Sequence, residues 1–171
     1  CLAQRGIRRG KRSGKTADTS ALDEECIRIK SIADGDSKVT VGMIYDEINR
    51  IAPFHTQDSW DNSGLLVGER ETEVTSVLTA LDITHEVIDE EIKKKANLII
   101  SHHPVIFNPV KRLTEDNEKL LRYLIKNDIS VYSAHTNLDV VWGGLNDLLA
   151  EKIGLEKCEI LVPTKEFDGK M

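Results

Sequence analysis

Apolar residues fall into two alternating patterns from residue 39 onward, helical spacing and short continuous runs. Met43, Ile44, Ile48 and Ile51 recur at helical spacing behind Thr40, whose hydroxyl suits an N-cap, and Pro53 stops the run. The stretch DSWDNSGLLVG (58–68) places turn-forming residues ahead of a short apolar run, which predicts a shaped loop leading into a strand or extended segment. SVLTALDI (76–83) reads as a buried strand. Thr84 can cap the following helix, which runs to about Lys95 with Val87, Ile88 and Ile92 on one face.

The alternation then repeats. NLIISHH (97–103) is a second buried strand; Leu120, Leu121, Leu124 and Ile125 define a helix ending near Asn127 and Asp128; ISVYSAH (129–135) is a third strand. Gly143 and Gly144 open a further helix carrying Leu145, Leu148, Leu149 and Ile153, with Gly154 as its C-terminal cap, and CEILVP (158–163) is the last strand candidate. Strands alternating with helices predict an α/β fold with a largely parallel sheet flanked by helices and right-handed crossovers. In such sheets ligands bind beyond the carboxyl ends of strands. Two places are selected: SHHP (101–104) and HTNLD (135–139).

Charge divides the chain. Residues 1–38 hold nine Lys or Arg against six Asp or Glu, whereas the whole chain carries 23 against 29, so the remainder is strongly acidic. The first twenty residues mix Gly, Arg, Lys and Ser without an apolar period, and cannot bury enough surface to offset the entropy of ordering. The expected organisation is therefore 1–38 as a disordered or non-native basic tail and 39–171 as the α/β domain. A net charge of −6 makes nucleic acid an unlikely partner. Without an 18-residue apolar run or a secretory leader, the expectation is a cytoplasmic protein with no membrane span. Cys1, Cys26 and Cys158 are too scattered for a disulfide framework or a zinc knuckle and are expected to be reduced thiols.

Candidate chemistry lies at the two selected strand ends. If His102 and His103 continue the strand, their side chains point to opposite sides, which suits two ions a few ångströms apart, each taking one imidazole. Asp139, four residues beyond the neighbouring strand, is the natural carboxylate to bridge them. His135 is expected to orient a ligand or contact substrate rather than bind metal itself. Other residues have plainer readings. Trp60 reads as a core anchor and Asp61 as the cap of the turn at Asn62, Ser63 and Gly64. His55 and His85 read as exposed. The run Asp89, Glu90, Glu91 followed by Lys93, Lys94, Lys95 reads as a solvated helix face. Walker loops, GxGxxG and GxSxG are absent, so nucleotide cradles and serine nucleophiles lack support.

Four ordered segments, IAPFHTQDSWDNSGLLVG, ALDIT, LIISHHPVIF and SAHTNLDVVWGGLNDLLA, resemble the Nif-three-like dinuclear metal-centre family, whose members are often labelled GTP cyclohydrolase 1 type 2 homologues. The likeness covers roughly residues 39–163, and residues 1–38 match nothing in it. It implies a Nif-three-like half-domain, truncated at the carboxyl end, because the family completes its site with a histidine and a glutamate in a later segment. It also implies His102, His103 and Asp139 as ligands to two divalent metal ions, which zinc, iron, manganese, nickel or cobalt would suit. Three ligands shared by two ions leave each under-coordinated and weakly held. The implied function is a metal-dependent hydrolase acting on a small molecule or nucleotide, assembled as a homo-oligomer, a hexamer by resemblance. The alternative is a non-enzymatic, metal-stabilised oligomer that engages protein partners. A DHH-type phosphoesterase needs aspartate where Ser101 stands.

Overall fold

The computed structural model describes residues 38–114 and 118–160. The first helix, α1 (Val41–Ile51), begins where expected, with the Thr40 hydroxyl accepting from the Met43 amide. It turns a different face inward, however. Val41, Ile44, Tyr45 and Ile48 meet the core, while Met43 and Ile51 at the flanks of the stripe stay exposed. A short 3-10 turn at Phe54–Thr56 follows Pro53.

Four strands form one sheet: β1 (Gly64–Val67), β2 (Val77–Ala80), β3 (Leu98–Ser101) and β4 (Ser130–Ser133), in the order β1-β4-β3-β2. β2, β3 and β4 run parallel, and β1 joins the outer side of β4 antiparallel. The two crossovers are α2 (His85–Lys94) and α3 (Lys119–Lys126). The Thr84 hydroxyl caps α2 by accepting from the Val87 amide.

Alternation along the strands divides the core between the two faces of the sheet. Ile99 and Val131 point to the α2 and α3 side, where they join Ile88, Leu121 and Leu124. Leu98 and Tyr132 point to the α1 side, with Val41, Val77 and Ala134. Ile88, Leu98, Ile99, Leu124 and Val131 are fully buried, and each contributes on the order of 2 kcal/mol through the apolar area removed from water. With both faces covered, the strands read as continuous apolar runs, which is why their sequences were recognisable.

One position on β1's exit is constrained to glycine. At Gly68, φ is +105°, and a Cβ would sit 2.7 Å from the Ser130 Cβ and 3.1 Å from its Cα. Gly68→Ala is expected to lower stability by about 2–3 kcal/mol in chemical denaturation. An alanine variant as stable as wild type would refute that constraint.

Several expectations require correction. Trp60 is no core anchor, being 58% exposed. Glu91 does not lie on a solvated face: it is fully buried, because Ile88 and Glu91, rather than Ile92, mark the centre of the inward stripe of α2. Residues 158–160 form no strand and are exposed, and the rest of that strand candidate lies outside the described residues, as do residues 1–37 of the basic tail expected at 1–38, with Cys1 and Cys26. Cys158 is a free, exposed thiol. A five-residue helix, α4 (Thr136–Val140), had not been anticipated; α5 (Leu145–Lys152) had, with Gly154 at φ +76° beyond its end. Leu145, Leu148, Leu149 and Ile153 of the α5 region remain exposed. Among the described residues, no helix is long and apolar enough to cross a membrane.

Candidate metal centre

The parallel strands β2, β3 and β4 end side by side, and their carboxyl ends deliver Asp82, His102, His103 and His135 to one place. The chain does not continue as a flat strand after Ser101. The His102 amide donates to Ala80 O (3.1 Å) and the His103 amide to Leu81 O (2.9 Å), keeping both residues against the end of β2. The buried Ser101 hydroxyl donates to His103 O (2.9 Å) and shares a hydrogen bond with Ser133 Oγ (2.7 Å), which bends the tip. The two imidazoles therefore do not splay as strand alternation predicts: their ring centroids are 5.0 Å apart.

His135 completes the group. Its ring lies 5.0 Å from that of His102 and 5.5 Å from that of His103, and one nitrogen from each of the three rings lies within 4.8 Å of the others. Each ring is tethered through Nδ1: His102 to Ala134 O (2.9 Å), His103 to Asp82 Oδ1 (2.6 Å) and His135 to Asp61 Oδ1 (2.8 Å). A carbonyl oxygen and two carboxylates can only accept, so Nδ1 carries the proton and Nε2 holds the free lone pair in each neutral imidazole. Metal-binding histidines are oriented in this manner, with the second nitrogen held by a carbonyl or carboxylate.

Asp139 sits on α4, where its amide and that of Leu138 donate to His135 O. Its Oδ1 is 3.7 Å from His102 Nε2, beside the trihistidine group rather than inside it. His102 is partly withdrawn from water. Burial lowers its pKa and favours the neutral, ligand-competent ring, the Asp139 charge opposes this, and His135 and His103 push it down further.

Asp61 anchors the loop side of the site. Its side chain is fully buried, and its Oδ2 accepts from the Thr136 amide (3.0 Å), the Thr136 hydroxyl and the Ser63 hydroxyl (3.1 Å), while Oδ1 accepts from the Asn62 amide (2.7 Å) and His135. Burial alone would raise this carboxyl, but the Thr136 hydroxyl, His135 and the Asn62 and Thr136 amides outweigh it and hold the pKa at about 2. Thr136 in turn accepts from the Asp58 amide, and Asn137 ties α4 to Ala52 O (2.7 Å).

The structure thus brings His102, His103 and His135 together with Asp139 at their side, while His55 and His85 stand exposed elsewhere. Sequence reasoning missed two residues, Asp61 and Asp82. Asp82 follows β2, so the strand-end rule applied to a third strand would have found it. Asp61 lies in a loop before the antiparallel strand, where that rule gives no signal.

A family model, Duf34/NIF3 (NGG1p interacting factor 3), matches residues 39–170. A curated relative from Staphylococcus epidermidis, named GTP cyclohydrolase 1 type 2 homolog, is 43% identical over 132 residues, spanning 77% of this chain and 36% of the relative. A relative of the same name from Clostridium acetobutylicum is 45% identical over 117 residues, spanning 67% of this chain and 43% of its own. This chain therefore spans well under half the length of these relatives. The solved structure of a Bacillus cereus protein related to NIF3 superposes with a TM-score of 0.71 at 45% identity, covering 76% of this chain and 36% of that one. The family model covers most of the chain and the fold superposes on that of a NIF3-related protein, and the chain belongs to the Duf34/NIF3 family.

Proposed function

We propose that this chain contributes a divalent-metal site, built from Nε2 of His102, His103 and His135 with the Asp139 carboxylate, to a protein of hydrolytic activity. The observation that carries the reading is the convergence of three imidazoles, each already fixed at Nδ1 by an acceptor. Here His135 is a ligand rather than a group behind one. Three nitrogens and a carboxylate suit zinc, iron, manganese, nickel or cobalt. They fill the coordination of one such ion, and a second ion beside it needs donors beyond these four residues.

A bound divalent ion supplies Lewis acidity and brings the pKa of a water toward neutrality. The chain's own residues hold the rings: Ala134 O, Asp82 and Asp61 each engage an Nδ1 and leave Nε2 of the three clustered imidazoles available to an ion, and Asp139 adds negative charge beside His102. The name carried by the curated relatives, GTP cyclohydrolase 1 type 2 homolog, supports hydrolysis as the chemistry and a nucleotide as the substrate class.

The test is cobalt titration followed by visible absorption, with metal content measured after gel filtration. Wild type is expected to retain about one ion per chain, and His102→Ala and His135→Ala to weaken binding by at least about tenfold. His85→Ala, altering an exposed ring, serves as the control. Equal retention by all four proteins would remove the proposed site.

A further inference from the structure

Three imidazoles and a carboxylate around one ion leave no place for a water or a substrate atom, whereas an ion that does chemistry keeps one position open. The four residues are not held alike, and the difference shows which of them gives way. His102 and His135 are fixed on both sides of the ring. The His102 side chain is 17% exposed and its ring is tied to the carbonyl of Ala134, a buried residue whose amide donates to Ser101 O. The His135 side chain is 12% exposed and its ring is tied to the fully buried Asp61 carboxylate, which four further donors hold in place. Turning either ring would break a hydrogen bond that water is poorly placed to replace.

His103 is held differently. Its side chain is 36% exposed, and its ring is tied to Asp82, which is 60% exposed and has no other hydrogen-bond partner among the described residues. Water competes for such a contact, so the tie restrains the ring weakly. The backbone beneath it is firm: the His103 amide donates to Leu81 O, and its carbonyl accepts from the buried Ser101 hydroxyl. His103 therefore combines a fixed hinge with a ring that is free to turn toward solvent. Asp139 is 21% exposed, and its charge attracts a cation, so it leaves less readily than a neutral imidazole.

We infer that His103 is the exchangeable arm of the site: its imidazole swings outward and yields its position to an oxygen or nitrogen donor of an incoming ligand, while His102, His135 and Asp139 keep the ion. The swing presupposes the metal site proposed above and supplies the open position that hydrolysis there requires.

Azide, a small anionic donor, serves as the probe on cobalt-loaded protein. In proton NMR each bound imidazole contributes one exchangeable, paramagnetically shifted Nδ1–H signal, so wild type is expected to show one each from His102, His103 and His135. Azide should shift the visible bands and remove one of these signals with cobalt retained, and His103→Ala should lack that same signal before azide is added. His103→Ala is expected to weaken cobalt binding by less than about tenfold, short of the loss expected of His102→Ala and His135→Ala. Asp82→Ala should weaken it by less than about fivefold. Persistence of every imidazole signal with azide bound, as when Asp139 leaves instead, overturns the exchangeable arm and leaves the metal site standing. So does the loss of a signal that His103→Ala retains, an absence of azide uptake, or a His103→Ala variant that loses cobalt as fully as the other two. Failure of wild type to hold cobalt overturns the metal site itself.

Discussion

Asp61→Asn is expected to destabilise the fold by about 3 kcal/mol and to weaken metal binding by about 10- to 100-fold. The carboxylate accepts from five groups on two segments of chain, and asparagine replaces one of its oxygens with a donor. Whichever way the amide turns, its NH2 faces a donor: the Asn62 amide and His135 ring on one side, the Thr136 amide and hydroxyl on the other. The first arrangement would also drive His135 toward the other tautomer, withdrawing its Nε2 lone pair.

The charge state of Asp61 predicts an acid dependence as well. Its carboxyl is lowered from 3.8 to about 2 in the fold, so its contribution is fully present above pH 4 and is lost as pH falls through 2. The loss amounts to about 2 kcal/mol. Denaturation midpoints of wild type and Asp61→Asn at pH 7 and between pH 4 and 2, with the cobalt affinity of folded protein at pH 7, would check these effects. An asparagine variant matching wild type in each would show that the loop is held by other means.

Glu91 is expected to give the opposite pH response. Its side chain is fully buried, and neither carboxyl oxygen has a hydrogen-bond partner. Burial pushes its pKa from 4.5 up to about 8; Glu90 adds to the rise, and Lys94 offsets part of it. The folded chain therefore holds a proton that the unfolded chain releases above pH 4.5. Stability from this group is complete below pH 4.5 and falls by up to about 1.4 kcal/mol per pH unit until pH passes 8. Glu91→Leu is expected to flatten that slope and to raise stability at pH 8 by a few kcal/mol, since an aliphatic side chain carries no charge to desolvate. Urea denaturation at pH 5, 6.5 and 8 would show it. Parallel slopes for the two proteins would mean that Glu91 is solvated or paired in solution.

Much of the scaffold was legible in the sequence because its signals are local. Thr40 and Thr84 announce their helices by side-chain caps, and the three parallel strands announce themselves as apolar runs between polar breaks. The pairing of His102 with His103 at a strand tip was legible for the same reason. What escaped depends on distance along the chain. Trp60 looks like core by composition, and only the closeness of Phe107 and His135 shows that it borders a site. Asp61 looks like the cap of its own turn, and part of it is, through Asn62; its tie to His135 crosses 74 positions that no local pattern reports. α4 is too short for periodicity to register. Glu91 was masked by its neighbours in a charge run, although its spacing of three from Ile88 places it on the inward face.

That 74-position tie between Asp61 and His135 also links the site to the order in which the chain can assemble. The imidazole takes its final orientation only when the segment ahead of β1 has met the segment behind β4, two strands that are neighbours in the sheet though far apart along the chain. A cation held there would act as a reversible crosslink across a large loop, and occupancy would report on completion of the whole sheet rather than on a local hairpin.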